Sequence, residues 1–159
     1  MQNYDRIKVL GAGAFGQAVL VRERGGERRH RVIKEVSVRP DKLAEAQHEA
    51  KVMGEVSHSN IVQYVDSFVE DRKFFIVLEY AEFGALDKYV APSDSGRVRP
   101  LPHSVARRFF IGMLDGLLAM KRERWIHRDV KLENLLLATP GDSGPPKLAE
   151  FGLATRACG

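Results

Sequence analysis

Apolar residues alternate with polar ones in short runs over most of the first half of the chain, while the second half carries one long stretch with apolar residues every three or four positions. Tyr4 to Leu10, with Ile7 and Val9, reads as a strand. Ala18-Val19-Leu20-Val21 reads as a second strand, bounded by the Gly25-Gly26 turn, and Arg31-Val32-Ile33-Lys34-Glu35-Val36 as a third. Pro40-Asp41 signals a helix start with Asp41 as N-cap, after which Leu43, Ala46, Ala50 and Met53 recur at helical spacing. Ile61 to Val69 and Phe74 to Leu78 flank Glu70-Asp71-Arg72 as the arms of a hairpin. Ala85 to Val90 reads as a short helix, and the Pro-, Ser-, Gly- and Asp-rich run from Ala91 to Pro100 as a loop. A longer helix is predicted from Pro102, placed at the first helical position, to Arg124, with Val105, Phe109, Met113, Leu117 and Met120 on one face. Leu135-Leu136-Leu137 and Lys147-Leu148-Ala149 form a last hairpin, joined by a turn through Pro140 to Pro146.

Composition adds bounds. With 159 residues, 44% hydrophobic and 29% charged, the chain is long enough for one ordinary domain and reads as soluble and globular. The formal charge of +4 lies largely in Arg22 to Arg31, a stretch without interleaved aromatics, which reads as a solvated turn rather than a nucleic-acid patch. A single cysteine, Cys158, excludes an internal disulfide and suits a reducing compartment. No apolar run reaches the roughly 18 residues a membrane helix needs, and Met1-Gln2-Asn3-Tyr4-Asp5 lacks a signal-peptide core, so the expectation is an intracellular, cytoplasmic protein with no membrane partner.

Three stretches carry chemistry. Gly11-Ala12-Gly13-Ala14-Phe15-Gly16 is a G-x-G-x-x-G loop, whose glycines let backbone N–H groups approach phosphate oxygens. Dinucleotide-binding folds share this spacing but require a helix after it, whereas a strand is predicted here. His127-Arg128-Asp129-Val130-Lys131-Leu132-Glu133-Asn134 places a hydroxyl acceptor, a phosphate-neutralising cation and a metal-binding amide on one short loop, the set that phosphoryl transfer needs. On the first helix, Glu49 lies roughly 60° from the centre of the apolar stripe and Glu45 about 100°, so Glu49 is the better partner for Lys34.

These stretches, with His58-Ser59-Asn60-Ile61-Val62, Leu78 to Gly84 and Glu150-Phe151-Gly152, resemble the motif set of the protein kinases, in family order and over essentially the whole chain. The lysine two places after Asp129 is the serine/threonine-kinase form. Ala18, Val-Ile-Lys-Glu from Val32, Val62-Gln63-Tyr64 and Ser67-Phe68 are most similar to NIMA-related kinases, although the run from Leu132 to Leu137 is less typical of them. The resemblance implies an α+β, bilobal protein-kinase-like fold: an N-lobe over 1–78 with a five-stranded antiparallel sheet and one helix, a hinge over 79–84, and an incomplete helical C-lobe over 85–159. It implies ATP and Mg²⁺ as cofactors and a protein serine or threonine as substrate. In that reading Leu10 to Gly16, including Ala14 and Phe15, cover the phosphates, and Lys34, paired with Glu49, contacts them. Ala18, Val32 and Leu136 enclose the purine, Leu78 is the gatekeeper, and Glu79 and Ala81 meet the adenine edge through their backbones. Asp129 accepts the hydroxyl proton, Lys131 neutralises the γ-phosphate, Asn134 and Glu150 hold metal, and His127 is structural, bonding to backbone and packing on Phe151.

Two departures qualify that reading. Glu150 stands where the family has aspartate, displacing the carboxylate by roughly 1 Å, which can cost on the order of 100-fold in rate. The chain also ends at Gly159, a few residues into the activation segment, without the family's A-P-E motif or peptide groove, which reads as a fragment, a truncated product or a degenerate copy. An impaired kinase is therefore weighed against a pseudokinase-like module that binds nucleotide or a partner without turnover.

Overall fold

The computed structural model describes residues 1–13, 16–91, 100–141 and 143–157. They form two compact units, Met1–Gly54 with Gln63–Tyr80, and Glu55–Val62 with Ala81–Gly159.

The first unit is a five-stranded antiparallel sheet and one helix. Its strands are β1 (Tyr4–Gly13), β2 (Gly16–Glu23), β3 (His30–Ser37), β4 (Tyr64–Glu70) and β5 (Lys73–Glu79), in the order β1-β2-β3-β5-β4. Period-two alternation sorts the side chains between faces. Val19, Val21, Ile33, Phe75 and Val77 form a buried cluster on one face, covered by Met1, Tyr4 and Phe68. Cross-strand pairing of Ala18 with Lys34 and of Val32 with Leu78 puts those four residues on the other face. The hairpin from β4 to β5 turns on Asp71 and Arg72, with φ of 48° and 57°, the left-handed pair that matches strand twist. The hairpin from β2 to β3 carries the basic stretch, locally neutralised by Arg24–Asp5, Arg31–Glu23 and Arg29–Glu27 ion pairs.

Helix α1 spans Pro40–Glu55 and buries Ala46, Glu49, Ala50, Val52 and Met53. It begins two residues before the start that an Asp41 cap implies: the Leu43 N–H donates to the Arg39 carbonyl at 2.8 Å, so Arg39 is the N-cap and Asp41 lies inside the first turn. Pro40 takes the first helical position, where its missing N–H costs nothing. Strand β4 starts at Tyr64 rather than at Ile61, because Ile61 makes an isolated parallel bridge with Leu148 in the second unit.

The second unit is built on α2 (Leu86–Val90) and α3 (His103–Arg122). Pro102, with ψ of 138°, is the N-cap of α3 rather than its first helical residue, and the helix ends two residues short of Arg124. Val105, Phe109, Ala119 and Met120 are buried, with Gly112 and Gly116 between them. A Cβ on Gly112 would stand 2.5 Å from Pro145 Cβ, and one on Gly116 2.7 Å from Leu148 Cδ1. Only glycine lets the chain pass that close. Phe110, Ile111, Leu114 and Leu118, on another face of α3, are exposed. Four two-residue strands complete the unit: β6 (Trp125–Ile126) pairs with β9 (Thr155–Arg156), and β7 (Leu135–Leu136) with β8 (Lys147–Leu148). No helix among the described residues is long and apolar enough to cross a membrane.

Candidate active site

In the first unit, Lys34 Nζ donates to Glu49 Oε1 at 2.7 Å, with side chains 19% and 11% exposed. The strand fixes one partner and the flank of the apolar stripe of α1 the other. A pair so nearly removed from water holds its geometry better than a surface pair. Beside it, the three glycines of the loop have different reasons to be there. Gly16 has φ of +130°, and a Cβ would lie 1.9 Å from the Glu35 carbonyl oxygen, so backbone packing demands glycine. Gly11 and Gly13 meet nothing within 4 Å, and neither requires a positive φ. Their lack of a side chain leaves open backbone at the strand end. Leu10 and Ala12 are exposed beside them; Ala14 and Phe15 lie outside the described residues, as does Cys158. Ala18 and Val32 are half-buried and Leu78 is buried on the Lys34 face. The Glu79 N–H donates to the Gln63 carbonyl at 2.9 Å, and Glu79 Oε2 accepts from the Gln63 N–H at 3.1 Å.

A second charge cluster occupies the opposite face of this sheet. Glu35, 2% exposed at its side chain, accepts from Gln17 at 2.9 Å, Lys73 at 3.2 Å and Arg6. Burial pushes its carboxyl up, but these donors outweigh that and hold it below the usual range.

In the second unit, the loop between β6 and β7 folds back on Asp129. Lys131 Nζ donates to Asp129 Oδ1 and Oδ2 at 3.1 and 2.9 Å, and Asn134 Nδ2 donates to Asp129 Oδ2 and its carbonyl oxygen at 2.8 and 2.9 Å. The Lys131 ammonium, opposed by desolvation and aided by Asn134, holds the Asp129 carboxyl below its ordinary value; the same pairing raises Lys131. His127 carries the loop. Its Nδ1 accepts the Asp129 N–H at 3.2 Å, so its Nε2 bears the proton and donates to the Ala149 carbonyl at 3.1 Å. Its ring meets Phe151 edge-on, with centroids 5.1 Å apart. Both are buried, at 2% and 0% exposure, and burial lowers the imidazole pKa.

Ala149 is thereby held twice, since its own N–H donates to the Asn134 carbonyl at 2.9 Å. Glu150 follows at once, exposed and left-handed at φ of 62°. With Asn134 Nδ2 committed to Asp129, Oδ1 remains as the acceptor that a hard cation would use. An amide oxygen and an exposed carboxylate on linked backbone fit Mg²⁺, which takes one or two carboxylates and completes its shell with phosphate and water. Among the described residues no cluster of three or more His, Cys, Asp or Glu could cage a metal by itself. Leu136 pairs with Lys147 and bridges to Ala85, while the Ala81 carbonyl accepts from the Gly84 N–H at 3.3 Å.

Sequence patterns did not single out Asn60, Trp125 or Arg156. Asn60 is buried and joins segments: its Nδ2 donates to the Pro146 carbonyl at 3.0 Å and its carbonyl accepts from the Leu148 N–H at 2.8 Å. Its only sequence signal was the His58 to Val62 motif. The chain's one tryptophan, next to the loop, was the signal for the other pair.

A family model described as protein kinase domain matches residues 4–158. Mitogen-activated protein kinase kinase kinase 5 of Arabidopsis thaliana is 35% identical over 98% of this chain and 22% of its own length. Serine/threonine-protein kinase Nek1 of Mus musculus is 32% identical over 97% of the chain and 12% of its own length, and serine/threonine-protein kinase nekl-2 of Caenorhabditis elegans 30% over 97% and 45%. The chain thus spans less than half the length of each of these relatives.

Proposed function

The chain belongs to the protein kinase family, and on that premise we propose that it is of the serine/threonine type and transfers the γ-phosphoryl group of ATP to a serine or threonine hydroxyl of a protein. The observation that carries this reading is the convergence of Lys131 and Asn134 on the two oxygens of Asp129. Asp129 orients the substrate hydroxyl and takes its proton as the oxygen–phosphorus bond forms and the bond from phosphorus to the β,γ-bridging oxygen breaks. Lys131 leaves Asp129 to neutralise the γ-phosphate oxygens, and Lys34, held by Glu49, meets the α- and β-phosphates. The open backbone at Gly11 and Gly13 admits phosphate oxygens. In the first unit Ala18, Val32 and Leu78 would line the purine site and the Glu79 backbone meet its edge; in the second, Leu136 and the Ala81 backbone would take the corresponding roles. Asn134 Oδ1 and Glu150 would hold Mg²⁺, which when bound would supply charge neutralisation for the phosphates. The test is transfer of labelled γ-phosphate to a generic serine/threonine substrate by the wild type, Lys34→Met and Asp129→Asn. Transfer lost in both variants supports the reading, and transfer retained in Asp129→Asn overturns it.

Glu150 favours a second reading, a module that binds nucleotide with little turnover. Its side chain carries the carboxylate one methylene farther from the backbone than an aspartate would, at a metal that tolerates little misplacement. A thermal-shift titration with ATP, with and without Mg²⁺, separates the two when set beside the transfer assay: stabilisation without transfer supports the module.

A further inference from the structure

Arg156 is bound more thoroughly than a half-exposed arginine on a two-residue strand requires. It pairs with Trp125 across β6 and β9, and its guanidinium carbon stands 4.2 Å from the centroid of the Trp125 ring. Its Nη2 donates to Glu55 Oε2 at 2.6 Å and its Nη1 to the Glu123 carbonyl at 2.7 Å. The same Glu55 oxygen accepts from Trp125 Nε1 at 3.0 Å, so indole, carboxylate and guanidinium close a three-membered ring of contacts. One residue on, the Ala157 N–H donates to the Arg124 carbonyl at 2.8 Å. Trp125 is 4% exposed, which strengthens the stack and the charge-assisted bonds around it.

Trp125, Ile126 and His127 are consecutive, and the segment carrying Glu150 is tied to them at both ends. At the front His127 holds the Ala149 carbonyl and packs on Phe151. At the back Trp125 holds Arg156. Glu150, exposed and left-handed, lies between two residues that His127 holds, Ala149 and Phe151; beyond them Gly152 and Leu153 are exposed, and Ala154 is buried with its N–H donating to the Phe151 carbonyl at 3.0 Å. A left-handed glutamate persists where the surrounding structure over-determines it, and Arg156 anchors the far end of the stretch that follows Phe151.

We propose that Arg156 is a positioning residue for Glu150: its clamp on Trp125 and Glu55 fixes the far end of the segment and so holds the Glu150 carboxylate where a phosphate-bound Mg²⁺ meets it. This rests on the reading of Glu150 as a metal ligand. Glu55 and Trp125 act through Arg156 and touch neither nucleotide nor metal.

The experiment compares ATP binding by calorimetry, with and without Mg²⁺, in the wild type, Arg156→Ala, Arg156→Lys and Glu55→Gln, alongside Trp125 emission. Trp125 is the only tryptophan, so its emission reads the clamp without any reference to activity. Arg156→Ala shifts the emission to the red and weakens Mg²⁺-dependent ATP affinity on the order of tenfold, the size seen when a ligand's supporting shell is removed. Its metal-free ATP affinity stays at the wild-type level, which a general loss of structure would not allow. Arg156→Lys keeps the charge without the planar stack, and Glu55→Gln keeps the indole's acceptor without the charge; both fall between. An Arg156→Ala variant with the wild-type ratio of metal-bound to metal-free affinity overturns the proposal, even with a lowered melting temperature. If the wild type itself binds ATP equally with and without Mg²⁺, the reading of Glu150 fails first and the proposal with it.

Discussion

Asn134 Nδ2 and Lys131 Nζ meet on the same carboxylate oxygen, Asp129 Oδ2, at 2.8 and 2.9 Å. A carboxylate so held is ionised and well oriented but a weak base. That suits a loose transition state, in which the hydroxyl needs aiming more than early deprotonation. Asp129→Asn is expected to lower kcat by about 10²- to 10⁴-fold, the range for a lost general base, while ATP affinity is kept. Steady-state kinetics with ATP varied give both numbers, and a matching loss in ATP affinity would place Asp129 in nucleotide binding instead.

The loop glycines separate fold from function. Gly16→Ala forces a Cβ into the Glu35 carbonyl at a φ of +130°, and is expected to destabilise by about 2–3 kcal/mol or more, read from the denaturant midpoint. Gly13→Ala meets no protein atom within 4 Å, and is expected to stay within about 0.5 kcal/mol of the wild type. If its backbone faces phosphate, its ATP affinity falls although its stability does not. Equal stability losses in the two variants would refute the distinction.

Stability should respond to pH through His127. Its folded pKa is lowered from 6.5 by burial, so the folded state binds fewer protons than the unfolded chain as pH drops. The contribution of the neutral ring is complete above about pH 6.5 and is lost as pH falls from there through the folded value. Protonating Nδ1 also removes the acceptor of the Asp129 N–H. Denaturant midpoints measured between about pH 7.5 and 5.5 should fall for the wild type and stay flatter for His127→Gln. Glu35, also lowered, acts only in the separate window below its ordinary 4.5.

Periodicity made the strands, α1 and α3 legible, because each has one face to bury, and helical angles, together with the family resemblance, favoured Glu49 as the partner of Lys34. It misjudged Asp41 and Pro102 for a local reason: a proline can serve as cap or as first helical residue, and only backbone dihedrals decide. No periodicity marks Gly112 and Gly116, which are where Pro145 and Leu148 come closest. The clamp around Arg156 was not legible at all. It joins Glu55, Trp125 and Arg156 over separations that no local pattern spans.

Glu150→Asp is the sharpest test of what this family member has become. At φ of 62°, position 150 lies in the left-handed region, which aspartate visits more readily than longer side chains because its carboxylate can bond locally. The substitution therefore eases the backbone as it shortens the side chain by one methylene. If Glu150 meets Mg²⁺ from roughly 1 Å off the preferred place, restoring aspartate raises kcat by as much as about 100-fold. Metal-free ATP affinity should not change, because Lys34, Glu49 and the loop glycines are untouched. The measurement is γ-phosphate transfer by Glu150→Asp and by the wild type. A variant no faster than the wild type, with Mg²⁺-dependent ATP binding intact in both, would mean that Glu150 already places its carboxylate well and that the extra methylene is not what limits the rate.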